Sequence, residues 1–258
     1  MSDFPALSVF ADAVADRRFV AAVIVAALSG LVRGFSGFGS ALIYMPLIAA
    51  VYDPRTAAVT MLLIDFFVSA PFTVREFRRC IWSELLPMWA AASIAVPFGT
   101  MTLLLLDPVL LRWGIAFLVF VLLGVLASGW RYKRKPPLAA SVGVGLFGGF
   151  SAGAVQIAGP AVIVYWLSSG HPAASVRANI MTFFLLTGAV LLVAYFWQGL
   201  FTVEPLALSL ILGVPYLLAI AVGVYFFHGA SEQLYRRVAY LIITVAALLS
   251  LPIFDSLR

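Results

Sequence analysis

Gly34-Phe35-Ser36-Gly37-Phe38-Gly39-Ser40 sets three glycines and two serines inside otherwise continuous apolar sequence, with one run from Phe19 to Val32 before it and another from Ala41 to Tyr52 after it. A helix unbroken over that length would far exceed the roughly 20 residues that cross a bilayer. The spacing therefore predicts a helix broken at the glycines. Backbone N–H and C=O groups freed at membrane depth are tolerated only against protein or a water-filled cavity, which makes the stretch a candidate binding element. A second copy, Gly148-Gly149-Phe150-Ser151-Ala152-Gly153, is followed by Pro160 as the first is by Pro46.

Composition agrees with a membrane location. Of 258 residues, 64% are hydrophobic and only 10% are charged, and the mean hydropathy is +1.09. Soluble domains do not reach such values. The single cysteine, Cys80, leaves no intramolecular disulfide and no multi-cysteine metal site. The net charge of +5 comes from basic residues in the loops, which are topology determinants before they are ligands.

Taken in order, residues 1–18 read as an interfacial segment, with Phe4, Leu7, Phe10 and Val14 at near-helical spacing opposite Asp12 and Asp16. The rest reads as an all-α, polytopic integral membrane protein of about eight spans: 19–51 (broken), 56–74, 83–106, 109–130, 138–169 (broken), 173–198, 203–228 and 233–254. A basic linker, 131–137, separates residues 19–130 from 138–258. Gly34 aligns with Gly149, Pro46 with Pro160, and Asp53-Pro54 with His171-Pro172, so the halves read as two four-helix repeats. Four crossings per half make those repeats parallel; re-entrant hairpins at the glycine motifs would change the crossing count and cancel that inference. If each broken segment crosses once, ten Lys and Arg residues fall on the side of the N-terminus and five on the other. That bias predicts cytoplasmic termini.

Among acidic residues only Asp65 lies well inside a span. It reads as a proton-coupling group or cation ligand, or as a hydrogen-bonded packing residue beside Ser69. Arg33 directly precedes the first motif and suits an oxyanion; an ion pair with Asp65 or snorkelling to an interface are its other readings. Arg177 opens the sixth span as a substrate ligand or a helix anchor, and Asn179 and Thr182 behind it as ligands or interhelical glue. Ser36, Ser40, Ser151 and Gln156 are the candidates for direct contact, with the backbone of Gly37, Gly39 and Gly153 beside them. His171 and His228 form no metal-ligand spacing and read as turn or interface residues. Trp82, Trp89, Trp113, Trp130, Trp166 and Trp197 read as an aromatic belt at the span ends. No cofactor motif is present, since the glycine motifs follow no strand and no Lys-Ser/Thr ends them.

The duplicated Gly-Phe-Ser motif with its prolines resembles the TauE/SafE sulfite exporter family over nearly the whole chain. The resemblance marks Gly34, Ser36, Gly37, Gly39, Pro46, Gly149, Ser151, Gly153 and Pro160 as family positions. In the second copy Ala152 departs from the glycine pattern, so two equal half-sites are not expected. The resemblance implies transport of a small sulfur-containing anion, such as sulfite or an organosulfonate, across the bacterial inner membrane, with export the commoner direction. The expectation is a multi-pass permease that binds the anion where the two broken helices meet, works by alternating access, and is not an enzyme. Its partners would be that anion and the bilayer, not nucleic acid; a homo-oligomer is left open. Uptake of the same or another small organic anion is the alternative. An intramembrane enzyme or a membrane-protein biogenesis factor is the alternative of another class, but no paired nucleophile and base is found for the first and no sizeable loop for the second.

Overall fold

The computed structural model describes residues 12–36, 39–128, 137–227 and 232–253; at Phe35, Ser36, Leu126, Pro160, Phe226, Phe227 and 232–239 only the backbone is described. These residues form helices α1 (Phe19–Ser36), α2 (Ser40–Val51), α3 (Pro54–Glu76), α4 (Trp82–Leu105), α5 (Pro108–Ala127), α6 (Leu138–Val155), α7 (Gly159–Leu167), α8 (Ala173–Trp197), α9 (Val203–Phe227) and α10 (Glu232–Leu249). No strand occurs among them. A helical turn at 12–15 lies within the proposed interfacial segment, whose first eleven residues and the linker residues 131–136 lie outside the described ones. Local chemistry sets several boundaries. Asp53 accepts the N–H groups of Arg55 (2.8 Å) and Thr56 (3.1 Å), capping α3, whose first residue is a proline.

Six helices are long and apolar enough to cross a membrane: 54–79, 82–105, 108–125, 138–155, 173–197 and 203–225. Phe19–Gly34, Ser40–Val51 and Tyr240–Leu249 are shorter apolar helices. Phe67, Phe98, Phe117 and Leu210, among others, point outward, as side chains facing lipid tails would.

The chain divides into two compact units, each drawing on both sequence halves. The first comprises Met1–Ile64, Pro108–Ala116 and Gly199–Arg258; the second comprises Asp65–Asp107 and Phe117–Gln198. Within the first unit α1 packs along α9. A Cβ added at Gly30 would sit 2.3 Å from the Tyr216 carbonyl oxygen, and one at Gly34 2.3 Å from that of Ile220. Within the second, α6 packs along α4, with Gly145, Gly149 and Gly153 facing the Met88, Ala92 and Val96 carbonyls in turn. Both partners advance together, so each pair is parallel. Backbone-to-backbone approach of this kind is open only to residues without a side chain.

These contacts correct the reading of the second motif. Gly148–Gly153 does not break a helix, because all six residues lie inside α6. The glycines there serve close packing, and the interruption falls afterwards, at Gln156–Ala158.

The interrupted segments also fold back on themselves. Ser141, in the first turn of α6, hydrogen-bonds the Tyr165 hydroxyl 24 residues later. Helices laid end to end would place those residues about 36 Å apart. Gly148 faces Val162 and Ala158 on the returning arm. In the first unit the Arg18 guanidinium lies 4.6 Å from the centre of the Tyr52 ring, whereas α1 and α2 end to end would separate them by about 50 Å. Each segment is thus a helical hairpin and not one broken span. Length alone could not separate the two, because an apolar run of given length fits either.

A further pairing fixes direction within the second unit. Asn179, early in α8, bonds the backbone of Ile81 at the start of α4; further along α8, Phe183 adjoins Gly148 and then Tyr195 bonds the Gly153 carbonyl of α6, the helix parallel to α4. Helices α4 and α8 therefore run parallel, as α4 and α6 do. A single crossing by α6 and α7 would have made α8 antiparallel to both.

Candidate functional site

At the tip of the first hairpin Gly39 adopts φ 88°, a left-handed conformation, immediately before Ser40 starts α2. Ser40 is buried there, and Arg33 is half-buried in the last turn of α1. Gly37 and Phe38 lie outside the described residues, as does the side chain of Ser36. Gly34, next to Arg33, is held against α9, so the position of Arg33 follows from that backbone contact. Pro46 sits inside α2.

The second tip is built differently. Gln156 is the residue at positive φ, 57°, and ends α6 with its N–H bonded to the Ala152 carbonyl. Its side-chain amide donates to the Tyr195 hydroxyl (3.1 Å), which in turn donates to the Gly153 carbonyl oxygen (3.1 Å). That carbonyl lost its helical partner at the break, and Tyr195, fully buried in α8, replaces it. One amide proton of Gln156 is thus spent on the protein. Tyr195 escaped the sequence reading because a tyrosine inside an apolar span carries no motif.

The other candidates separate. Ser151 is buried and its hydroxyl donates to the Phe147 and Gly148 carbonyls of its own helix. Gly153 packs against Val96, its missing side chain making the approach possible. Arg177 is exposed. Asn179 is fully buried; its Oδ1 accepts the Ile81 N–H at 2.9 Å, and its Nδ2 has no hydrogen-bond partner. Thr182 shares a hydrogen bond with the Cys80 sulfur at 3.0 Å. Burial pushes the Cys80 thiol above its ordinary range, against the opposing effect of Thr182. His171 bonds Glu84 at 3.0 Å, tying the loop before α8 to the first turn of α4; His228 and Trp130 lie outside the described residues. Asp65 is half-buried in α3.

Trp82, Trp113 and Trp197 are exposed, as an aromatic belt requires, whereas the belt reading fails for Trp166, which is wholly buried in a cluster with Leu85, Met88, Val176 and Phe183. Trp89 packs against the same cluster. Proximity to a helix end misled here, because the end of α7 lies inside the second unit. Among the described residues no group of three or more His, Cys, Asp and Glu gathers as a metal would require.

Among the described residues the chain is all-helical, with six helices long and apolar enough to cross a membrane and two helical hairpins. The family model for sulfite exporter TauE/SafE matches residues 22–250. The chain belongs to the TauE/SafE sulfite exporter family, a family of membrane transporters for sulfite-type anions. Comparisons with curated proteins and with solved structures gave no match.

Proposed function

We propose that this chain exports small sulfur-containing anions, sulfite or organosulfonates such as sulfoacetate, across the bacterial inner membrane by alternating access. The family match over residues 22–250 carries the reading. The hairpins support the sign of the cargo. Each sets the N-terminus of a returning helix, α2 at Ser40 and α7 at Gly159, at its tip, and first-turn N–H groups with the helix dipole favour an anion. Arg33, Ser36, Gly37, Gly39 and Ser40 at one tip, and Ser151, Gly153 and Gln156 at the other, are the proposed contacts, with Arg177 and Asn179 as further ones. Asp65 is the proposed proton-coupling group.

The hairpins also revise the proposed topology. Each half, 19–130 and 138–258, then makes three net crossings (α3, α4, α5 and α8, α9, α10), an odd number that makes the repeats inverted and not parallel. Arg17, Arg18, Arg55, Arg112 and Arg258 fall on the side of the termini, while the other ten loop cations, from Arg75 to Arg237, fall opposite. By the positive-inside rule the termini then face away from the cytoplasm, the reverse of the sequence-based expectation.

Counterflow of labelled sulfite and sulfoacetate in proteoliposomes tests the reading. Exchange is expected, reduced by Arg33→Gln. Asp65→Asn should abolish the dependence on a pH gradient while preserving exchange at equal pH; unchanged coupling removes Asp65 from the mechanism. Exchange of neither anion by folded protein overturns the function.

A further inference from the structure

In the second unit three buried N–H groups have no hydrogen-bond partner: the Asn179 Nδ2, the Trp166 Nε1 and the Trp89 Nε1. Buried donors are seldom left so, because each forfeits its hydration for nothing in return. All three belong to or adjoin one buried cluster. Trp166 lies in the cluster with Leu85, Met88, Val176 and Phe183, and Trp89 packs against it. Asn179 lies on α8 between Val176 and Phe183, three and four residues away and on their stripe of the helix.

The orientation of the asparagine is fixed by chemistry. The Ile81 backbone N–H can only donate, so the atom 2.9 Å from it must be Oδ1, and the amide NH2 must be the unpaired end. Every unpaired side-chain N or O atom in this cluster is therefore a hydrogen donor. A bound water would accept from them but bring two protons of its own to a cluster with no unpaired side-chain acceptor. A ligand with acceptors alone meets the need without a remainder. Exposed Arg177, two residues from Asn179, adds positive charge at that end of α8.

We infer that this cluster is an oxyanion-binding subsite, in which the Asn179 amide and the indole N–H groups of Trp166 and Trp89 donate to the oxygens of the transported anion. The inference rests on the export reading and names the side chains that select the cargo. The subsite favours a dehydrated sulfite or sulfonate head over any head group that carries its own N–H or O–H protons.

The test uses the full chain in lipid nanodiscs with sodium sulfite as the probe. Indole 15N labelling gives one N–H resonance per tryptophan, and the Trp166→Phe and Trp89→Phe variants identify two of them. Saturable downfield movement of those two proton resonances on adding sulfite is expected in the unsubstituted protein. Asn179→Asp keeps the acceptor for Ile81 and replaces the donor by a negative oxygen; it should weaken sulfite binding at least about tenfold, as loss of a hydrogen bond to a charged group does. Sulfite that binds while both indole resonances stay still, or that binds the Asn179→Asp protein undiminished, overturns the subsite and leaves the transport reading standing. Absence of sulfite and sulfoacetate exchange by the unsubstituted protein overturns both.

Discussion

The two hairpins turn by different means. At the first, a glycine supplies the left-handed residue directly, and among the described residues the nearest atom a Cβ at Gly39 would meet is Val32 Cγ1 at 3.9 Å, an ordinary contact distance. At the second, a glutamine takes that conformation and a buried tyrosine from another helix holds it. Conversely, Gly148-Gly149 and Gly153, which look in the sequence like a copy of the first break, serve helix packing. The same residue type thus does two jobs, one set by backbone torsion and one by the space beside it, and substitutions can tell them apart.

The largest effect is expected where backbone meets backbone. A side chain at Gly149 would meet the Ala92 carbonyl oxygen at 2.1 Å, and neither element can give way without moving a helix. Gly149→Ala should destabilise by more than about 3 kcal/mol, at or beyond the upper end for overpacked cores, and Gly149→Val should prevent folding. Gly143→Ala, on the same helix with nothing within 4 Å, should be neutral or slightly stabilising. Thermal melting in detergent decides the matter. Equal melting of the Gly149→Ala and Gly143→Ala proteins would mean that α4 and α6 are not in backbone contact.

Next comes the tyrosine. Tyr195→Phe removes the donor from the Gly153 carbonyl and the acceptor from Gln156, and should cost about 1–3 kcal/mol. Gln156→Gly gains about 1–2 kcal/mol from relief of the left-handed backbone but forfeits the same hydrogen bond. The two effects should separate in combination, with Gln156→Gly more favourable in the Tyr195→Phe background than alone. Additivity would show that the tyrosine does not hold the break. Gly39→Ala, with torsion as its only penalty, should cost about 1–2 kcal/mol.

Helix content and the membrane class were legible because they depend on composition and run length. Helix starts at Pro54 and after Pro172 were legible because caps and prolines act locally. The return of α2 and α7 was not, because a single crossing and a hairpin differ only in long-range contacts such as Arg18 with Tyr52 and Ser141 with Tyr165. The revised topology and charge placement proposed above rest on those same contacts. In the candidate site, Asn179 was visible as a polar residue in an apolar span. Trp166 was misread, since its position near a helix end suggested an interface while tertiary packing buried it. Tyr195 was missed for the converse reason: its role depends on a carbonyl freed elsewhere in the fold.

The smallest effect belongs to the mouth of the first hairpin, outside the membrane. Asp16 accepts from the Arg18 guanidinium at 2.9 and 3.1 Å, and Arg18 in turn covers Tyr52. The hydrogen bond from Arg18 holds the Asp16 carboxyl below its ordinary range, and burial, with the nearby Asp16 charge, raises the Tyr52 phenol. Because the folded-state value of Asp16 is depressed, its contribution is fully present above the unfolded value near pH 4 and is lost as pH falls through the folded value. The pair is exposed, so the contribution is at most about 1 kcal/mol. Asp16→Asn should therefore lower the melting temperature slightly at pH 7, and by progressively less as the pH falls through the depressed folded-state value of the carboxyl. Arg18→Gln should cost more than Asp16→Asn, since it also removes the contact with Tyr52 that joins the two arms. Equal effects of the two would mean that the cation over the ring contributes nothing to closing the hairpin.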